Sequence, residues 1–388
     1  MPIKNRLAEM HAEITGWRRH LHENPELEFD CPNTVAFVVD RLRDFGITDI
    51  TTGVGKSGVV ARIEGKSNTS GRVIGLRADM DALPIVEATG KDYASKTPGK
   101  MHACGHDGHT AILLGAAKYL AETRNFDGTV VLIFQPAEEN GGGGRAMCRD
   151  GLMERWGIEE VYGLHNMPGL PEGAFAMRPG ALMASTDQFE ITLTGRGGHA
   201  AAPHQAIDTN LAAAQVVVAL QSIASRNVNP LDHVVVSVCT LRSDTEAFNV
   251  IPQTVLLRGT VRALSNEVRD LAQARLTKLT AATAEAYGCV AAIDYLRDYP
   301  VTVNDADSVA IAGDVAELVT PQVDRDTPPI MAGEDFSFML EERPGAYVFL
   351  GIGEGPGLHH PKYDFNDAVI PVGCSWFAEL VEHRMPAA

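Results

Sequence analysis

Thr129-Val-Val-Leu-Ile-Phe134 is a short unbroken run of β-branched and apolar residues, and it passes directly into Gln135-Pro-Ala-Glu-Glu-Asn-Gly-Gly-Gly-Gly144. A run of this length without alternation reads as a strand buried on both faces, as in parallel sheets covered by helices. The pattern around it agrees. A helical period over residues 32–45 stops at Gly46, apolar runs follow at 58–63 and 73–76, a helix is expected over about 110–121, and a shorter strand ends near Leu164. Helix and strand in alternation indicate an α/β fold.

From Gln188 the grammar changes. Strand 188–194, helix 205–226, strands 233–241 and 253–263, helix 265–287 and strand 289–298 give the order β-α-β-β-α-β of ferredoxin-like domains. A helix at 306–319, a strand at 346–350 and a helix at 371–384 then resume the first style. The expected architecture is an α/β, mixed-sheet domain with helices on both faces, formed by residues 1–184 and 298–388. A ferredoxin-like α+β domain over 185–297 interrupts it, its ends close together in space.

With 388 residues, 45% hydrophobic and 21% charged, the chain can bury cores for two domains. A formal charge of -17 argues against nucleic acid or an anionic membrane surface as partner and favours a small-molecule substrate. Ile3, Leu7, Met10, Ile14, Trp17 and Leu21 follow a helical period within a charged opening segment, which reads as an amphipathic helix rather than a signal peptide or anchor. Apolar runs such as 216–220 are too short to span a bilayer. Six cysteines (Cys31, Cys104, Cys148, Cys239, Cys289, Cys374) without a CxxC pair suit a reducing cytoplasm.

The polar clusters fall where a parallel sheet would place a site. Asp79 and Asp81 follow one strand, residues 135–139 another, and His165 a third, and ligands bind beyond the carboxyl ends of such strands. The densest segment is His102-Ala-Cys-Gly-His-Asp-Gly-His109. A lone histidine is more often structural than a ligand, but three with a thiol and a carboxylate in eight positions point to metal. Thiolate with imidazole suits zinc and neighbouring late first-row metals rather than magnesium or calcium. His102 and His109 are expected to pack or hydrogen-bond rather than ligate. Glu138 and Glu139 are adjacent in an extended segment, so their side chains point to opposite sides. One can hold metal while the other moves protons, and the glycines after them let the backbone turn tightly beside a ligand. Solvated surface acids are the bland alternative.

Taken together, Arg18-Arg19-x-Leu-His22 with Pro25-Glu-Leu27, Gly75-Leu-Arg-Ala-Asp-Met-Asp-Ala-Leu-Pro84, His102 to Asp107, Gln135 to Glu139, Gly163-Leu-His-Asn166, Gly195-Arg-Gly-Gly-His-Ala200, Asn249-Val-Ile-Pro252, Gly333-Glu-Asp-Phe336 and Leu358-His-His-Pro361 resemble the M20 metallopeptidase family. Within it the chain is most similar to the amidohydrolase branch of hippurate hydrolases, N-acyl-amino-acid amidohydrolases and auxin-conjugate hydrolases. The resemblance implies two divalent metal ions per subunit, zinc, manganese, cobalt or nickel. Cys104 would bridge them, with His106 and His165 completing one shell and Glu139 and His359 the other. His359 is preferred to the adjacent His360 because it directly follows the leucine. Glu138 would be the general base and Asp81 would orient a ligating histidine. Asn249 and Arg262 would grip the substrate carboxylate. His199, on the inserted lid or dimerisation domain, would reach the partner's site in a homodimer or larger oligomer. Glu334 and Asp335 match a motif without an assigned role, and Asp30-Cys31 departs from the two acids usual there.

The implied reaction is hydrolysis of the amide of an N-acyl amino acid. An N-acetyl-diaminopimelate deacetylase or a dipeptidase shares every motif. A non-catalytic metal- or ligand-binding protein would not need Glu138 beside Glu139.

Overall fold

The computed structural model describes residues 4–387. The chain divides into two compact units: Met1–Leu182, Val303–Pro328 and Asp335–Ala388 form the first, and Met183–Thr302 with Pro329–Glu334 the second.

In the first unit an eight-stranded sheet runs in the order Ile50–Val54, Gly58–Glu64, Thr129–Gln135, Val73–Asp79, Glu160–Met167, Gly345–Gly351, Phe175–Ala176, Val323–Asp324. The four strands from Thr129–Gln135 to Gly345–Gly351 are parallel, with Leu76 between Leu132 and Tyr162. Gly58–Glu64 and Ile50–Val54 extend the sheet antiparallel, which makes it mixed. Val130, Val131, Leu132, Ile133 and Phe134 are fully buried. At about 1.5–3 kcal/mol for each such side chain, this strand is a rigid platform for the loop that leaves it. Val130, Leu132 and Phe134 pack into one core with Ile112, Leu113 and Ala116 of helix His106–Thr123 and with Trp376 and Leu380 of helix Ile370–Arg384. Helix His106–Thr123 starts four residues before the expected 110. Asp107 in its first turn complements the positive end of the helix dipole, and the early start places His106 and His109 on the helix itself.

The opening segment forms two helices, Asn5–Glu9 and His11–Glu23, separated at Met10, and buries Leu7, Ile14, Trp17 and Leu21. Ile3 lies outside the described residues.

The second unit is a four-stranded antiparallel sheet ordered Val234–Ser243, Thr254–Ala263, Ser185–Thr194, Val290–Arg297. Helices Thr209–Leu220 and Asn266–Ala286 share a core with Phe189, Ile191, Leu193, Val255 and Leu257. The order is the anticipated β-α-β-β-α-β. The first helix is shorter than 205–226 because the Asp208 side chain caps it by accepting from Leu211 N–H, with a short 3-10 turn before it and a wider turn after it. Among the described residues no helix is long and apolar enough to cross a membrane.

Candidate metal centre and active site

Within the first unit, the loops beyond the carboxyl ends of the parallel strands bring Cys104, His106, Glu138, Glu139, His165 and His359 together. Ligand atoms of Cys104, His106 and His165 lie within 4.8 Å of one another, and so do those of Cys104, Glu139 and His359. Cys104 is common to both triads. The His106 and His165 rings are each oriented through one nitrogen. His106 Nδ1–H donates to the Asp81 carbonyl at 2.8 Å, and His165 Nδ1–H donates to the Asn166 carbonyl at 2.6 Å. That fixes both protons on Nδ1 and turns each Nε2 lone pair toward the centre. His165 Nε2 is 3.4 Å from Cys104 Sγ. His359 donates its backbone N–H to the Ala103 carbonyl at 2.8 Å, adopts φ +62°, and sets Nε2 3.3 Å from Glu139 Oε1. Its neighbour His360 is exposed, and its Nδ1 accepts from Lys362 N–H at 3.0 Å.

The carboxylate of Asp81 accepts from the backbone N–H groups of Glu138 at 2.9 Å and Glu139 at 3.2 Å. Asp81 therefore orients His106 through its carbonyl and the two glutamates through its side chain. The tight return after them needs glycine: a Cβ at Gly143 would overlap the Pro136 carbonyl. His109 is held by hydrogen bonds. Its Nδ1–H donates to Asp79 at 2.7 Å and its Nε2 accepts from Asn166 N–H at 2.9 Å, so both nitrogens are engaged.

Burial raises the Cys104 thiol well above its ordinary range, and Glu139, Glu138 and Asp79 raise it further. Burial alone would lower the His106 pKa, but Asp79, Asp81 and Glu139 outweigh it and push it up to about 10. So much negative charge converging on one point favours a cation there, which would also stabilise the thiolate. His106 Nε2 is buried without a hydrogen-bond partner, and such an orphaned atom is costly unless something binds it. The sulfur, nitrogen and oxygen donors suit a late first-row divalent metal.

The sequence model of peptidase family M20/M25/M40 matches residues 75–383. The chain belongs to this family. It is 42% identical over 376 residues to the hippurate hydrolase of Campylobacter jejuni, covering 96% of this chain and 97% of that one. It is 41% identical over 372 residues to an N-acetyl-L-cysteine deacetylase of Bacillus subtilis, covering 96% and 88%. A crystal structure of a dinuclear metal-binding M20 peptidase from Bacillus subtilis superposes with a TM-score of 0.85 at 34% identity, over 97% of this chain and 99% of that one.

In this M20 chain the other expected site residues lie in the second unit. His199 and Asn249 adjoin: Val250 pairs with His199, and Ala200 N–H donates to the Asn249 carbonyl at 2.9 Å. They share a cavity of about 520 Å³ with Gly197, Asp244 and Gln253. His199 is exposed, and its Nδ1 accepts from Ala201 N–H at 3.1 Å, which leaves the proton on Nε2 as an outward donor. Arg262 is not brought to them. It lies near the far end of strand Thr254–Ala263, opposite Thr186 and nine residues beyond Gln253, about 30 Å away at the rise of a strand. Burial pulls its guanidinium below the ordinary arginine range.

The sequence left Asp335 without a role and Arg77 without comment, yet both support the M20 site. Asp335 accepts from Gln135 Nε2 at 2.7 Å, Gly144 N–H at 2.8 Å and Arg77 Nη2 at 3.1 Å, so it gathers both ends of the loop that carries Glu138 and Glu139. Arg77, fully buried, also pairs with Asp79 at 2.7 Å. The available signal was an arginine inside an otherwise apolar strand, which must find a buried acid.

The Arg18-to-His22 motif also acquires a place. Asp107 forms an ion pair with Arg18, 3.0 Å from Nε, and accepts from His22 Nδ1 at 2.8 Å, tying the opening helix to the metal-loop helix. Burial alone would lower the His22 pKa, but Asp107 and Glu87 carry it from an ordinary 6.5 up to about 9. Burial alone would raise Asp107, yet Arg18 and His22 hold it below its ordinary 3.8. A raised histidine pKa gives stability that is complete below pH 6.5 and lost as pH rises through about 9. The depressed aspartate gives stability present above pH 3.8 and lost on acidification. Urea unfolding of wild type and His22→Gln between pH 6.5 and 9 is expected to show their stability difference shrinking as pH rises. Parallel curves would show that His22 is uncharged in the native protein.

Proposed function

We propose that this chain is a metal-dependent amidohydrolase that cleaves N-acyl amino acids, hippurate-like or N-acetylated, into a carboxylic acid and a free amino acid. The observation that carries the reading is the pair of triads sharing Cys104, with Glu138 beside them and outside both. Cys104, His106 and His165 would hold one divalent ion, and Cys104, Glu139 and His359 the other. Zinc, manganese, cobalt and nickel all suit this donor set. When bound, the ions acidify a water toward neutrality and polarise the amide carbonyl.

Glu138 takes a proton from the attacking water and delivers it to the leaving nitrogen, general acid–base work that its place beside His106 and Glu139 suits. His199 donates from Nε2 to the carbonyl oxygen as negative charge develops there. Arg262 presents a planar fork to the substrate carboxylate, and Asn249 adds neutral hydrogen bonds.

The wide separation of Arg262 from His199 and Asn249 supports a homodimer. An N-acyl amino acid carries its amide and its carboxylate on the same carbon, so one chain cannot apply both groups to one substrate, whereas two chains can. His199 and Asn249 then serve the partner's metals, and residues 185–297 act as lid and dimerisation domain. Leu211 and Val218 of helix Thr209–Leu220, exposed at 49% and 65%, supply apolar surface for such an interface. Six unpaired cysteines support a cytoplasmic location.

A panel of hippurate, N-acetyl amino acids, N-acetyl-diaminopimelate and dipeptides tests the substrate class. The highest kcat/KM is expected on N-acyl amino acids with a free carboxylate. Turnover confined to dipeptides would overturn the reading.

A further inference from the structure

We propose that Asn166 is a positioning residue that couples the two metal positions, so that ordering the ligands of one aligns the ligands of the other. This inference rests on the dinuclear reading above.

Asn166 is fully buried in strand Glu160–Met167, directly after His165. Its carbonyl fixes the His165 ring by accepting from Nδ1–H at 2.6 Å. Its Nδ2 donates to the Cys104 carbonyl at 2.5 Å, and its Oδ1 accepts from the Tyr363 hydroxyl at 2.7 Å. Its backbone N–H donates to His109 Nε2, whose Nδ1–H is anchored on Asp79. One residue thus touches three segments that arrive from distant parts of the chain: the Cys104 loop, the His165 strand end, and the turn that follows His359.

That turn is stiff enough to transmit position. Tyr363 N–H donates to the His360 carbonyl at 2.8 Å, Ala88 N–H to the Pro361 carbonyl at 2.8 Å, and His359 N–H to the Ala103 carbonyl at 2.8 Å. Tyr363 is itself fully buried, so its hydroxyl depends on Asn166. The amide uses a donor toward Cys104 and an acceptor toward Tyr363, a combination that neither aspartate nor leucine reproduces. Gly105, between ligands Cys104 and His106 and at φ +93°, completes the fit. A Cβ there would collide with both Asn166 Nδ2 and the Tyr363 hydroxyl.

The test is titration of metal-free protein with zinc or manganese, followed by competition with a chromophoric chelator. Wild type is expected to take up two ions per chain in one steep step. Tyr363→Phe keeps the ring and removes only the hydroxyl. It should still bind two ions but in two resolved steps, the second about tenfold weaker, the range typical for groups that orient ligands. Asn166→Ala should split the steps at least as far, and adding Tyr363→Phe to it should split them no further, since both act through one contact. A wild-type isotherm in Tyr363→Phe would overturn the coupling. So would an Asn166→Ala protein that weakens both ions equally while keeping one step. Wild-type protein that binds a single ion would instead overturn the dinuclear reading on which the inference stands.

Discussion

Replacing Glu138 by glutamine is expected to lower kcat about 1,000-fold while leaving the metal content unchanged. The amide keeps the side chain's shape and the backbone bond from Glu138 N–H to Asp81, but it cannot accept a proton. Glu139→Gln is expected to do the reverse. Glu139 Oε1 is 3.3 Å from His359 Nε2 and belongs to the triad with Cys104, so weakening that donor should cost metal affinity first and activity as a consequence. Metal analysis of the two variants beside their kcat values distinguishes the roles. Exchanged phenotypes would mean that base and ligand are assigned the wrong way round.

Complementation between two inactive variants is the second large effect. His199→Ala and Glu138→Gln should each be nearly inactive alone. In a hybrid dimer the His199→Ala chain keeps its own Glu138 and receives His199 from its partner, so one of the two sites is whole. Random re-pairing of equal amounts makes about half the dimers hybrids, and about a quarter of wild-type activity should return. If His199 acted within its own chain, every site in the hybrid would carry a lesion. Hybrid dimers that form and stay inactive would therefore refute the role in trans.

Much of the fold was legible because its signals are local. The unbroken run at 129–134 and the change of period after Gln188 each report their own neighbourhood, and they suffice for a mixed α/β sheet with a β-α-β-β-α-β segment within the chain. The edge strand Ile50–Val54 escaped notice because Thr51, Thr52 and Gly53 offer neither an apolar run nor a clear alternation. The extent of helix Thr209–Leu220 was overestimated because the flanking segments 205–207 and 221–226 carry no glycine or proline to stop a helix, whereas Asp208 caps its start and a separate wider turn, Ile223–Asn227, follows its end.

At the site, residue types and spacing pointed to metal, the family resemblance implied the individual roles, and the supporting contacts are visible only in the fold. Arg77 meets Asp335 across 258 residues, and Asn166 meets Tyr363 across 197. No periodicity encodes such pairings. That His359 rather than His360 brings its ring to Glu139, with Nε2 3.3 Å from Oε1, is likewise a matter of tertiary placement that a sequence does not display.

Metal dependence is the central claim, and parallel measurement of metal content and hippurate hydrolysis during chelation and reloading tests it most directly. Activity is expected to vanish as the ions leave, and to return in proportion as a divalent metal is restored toward two ions per chain. Full hydrolysis by protein shown to be free of metal would contradict it.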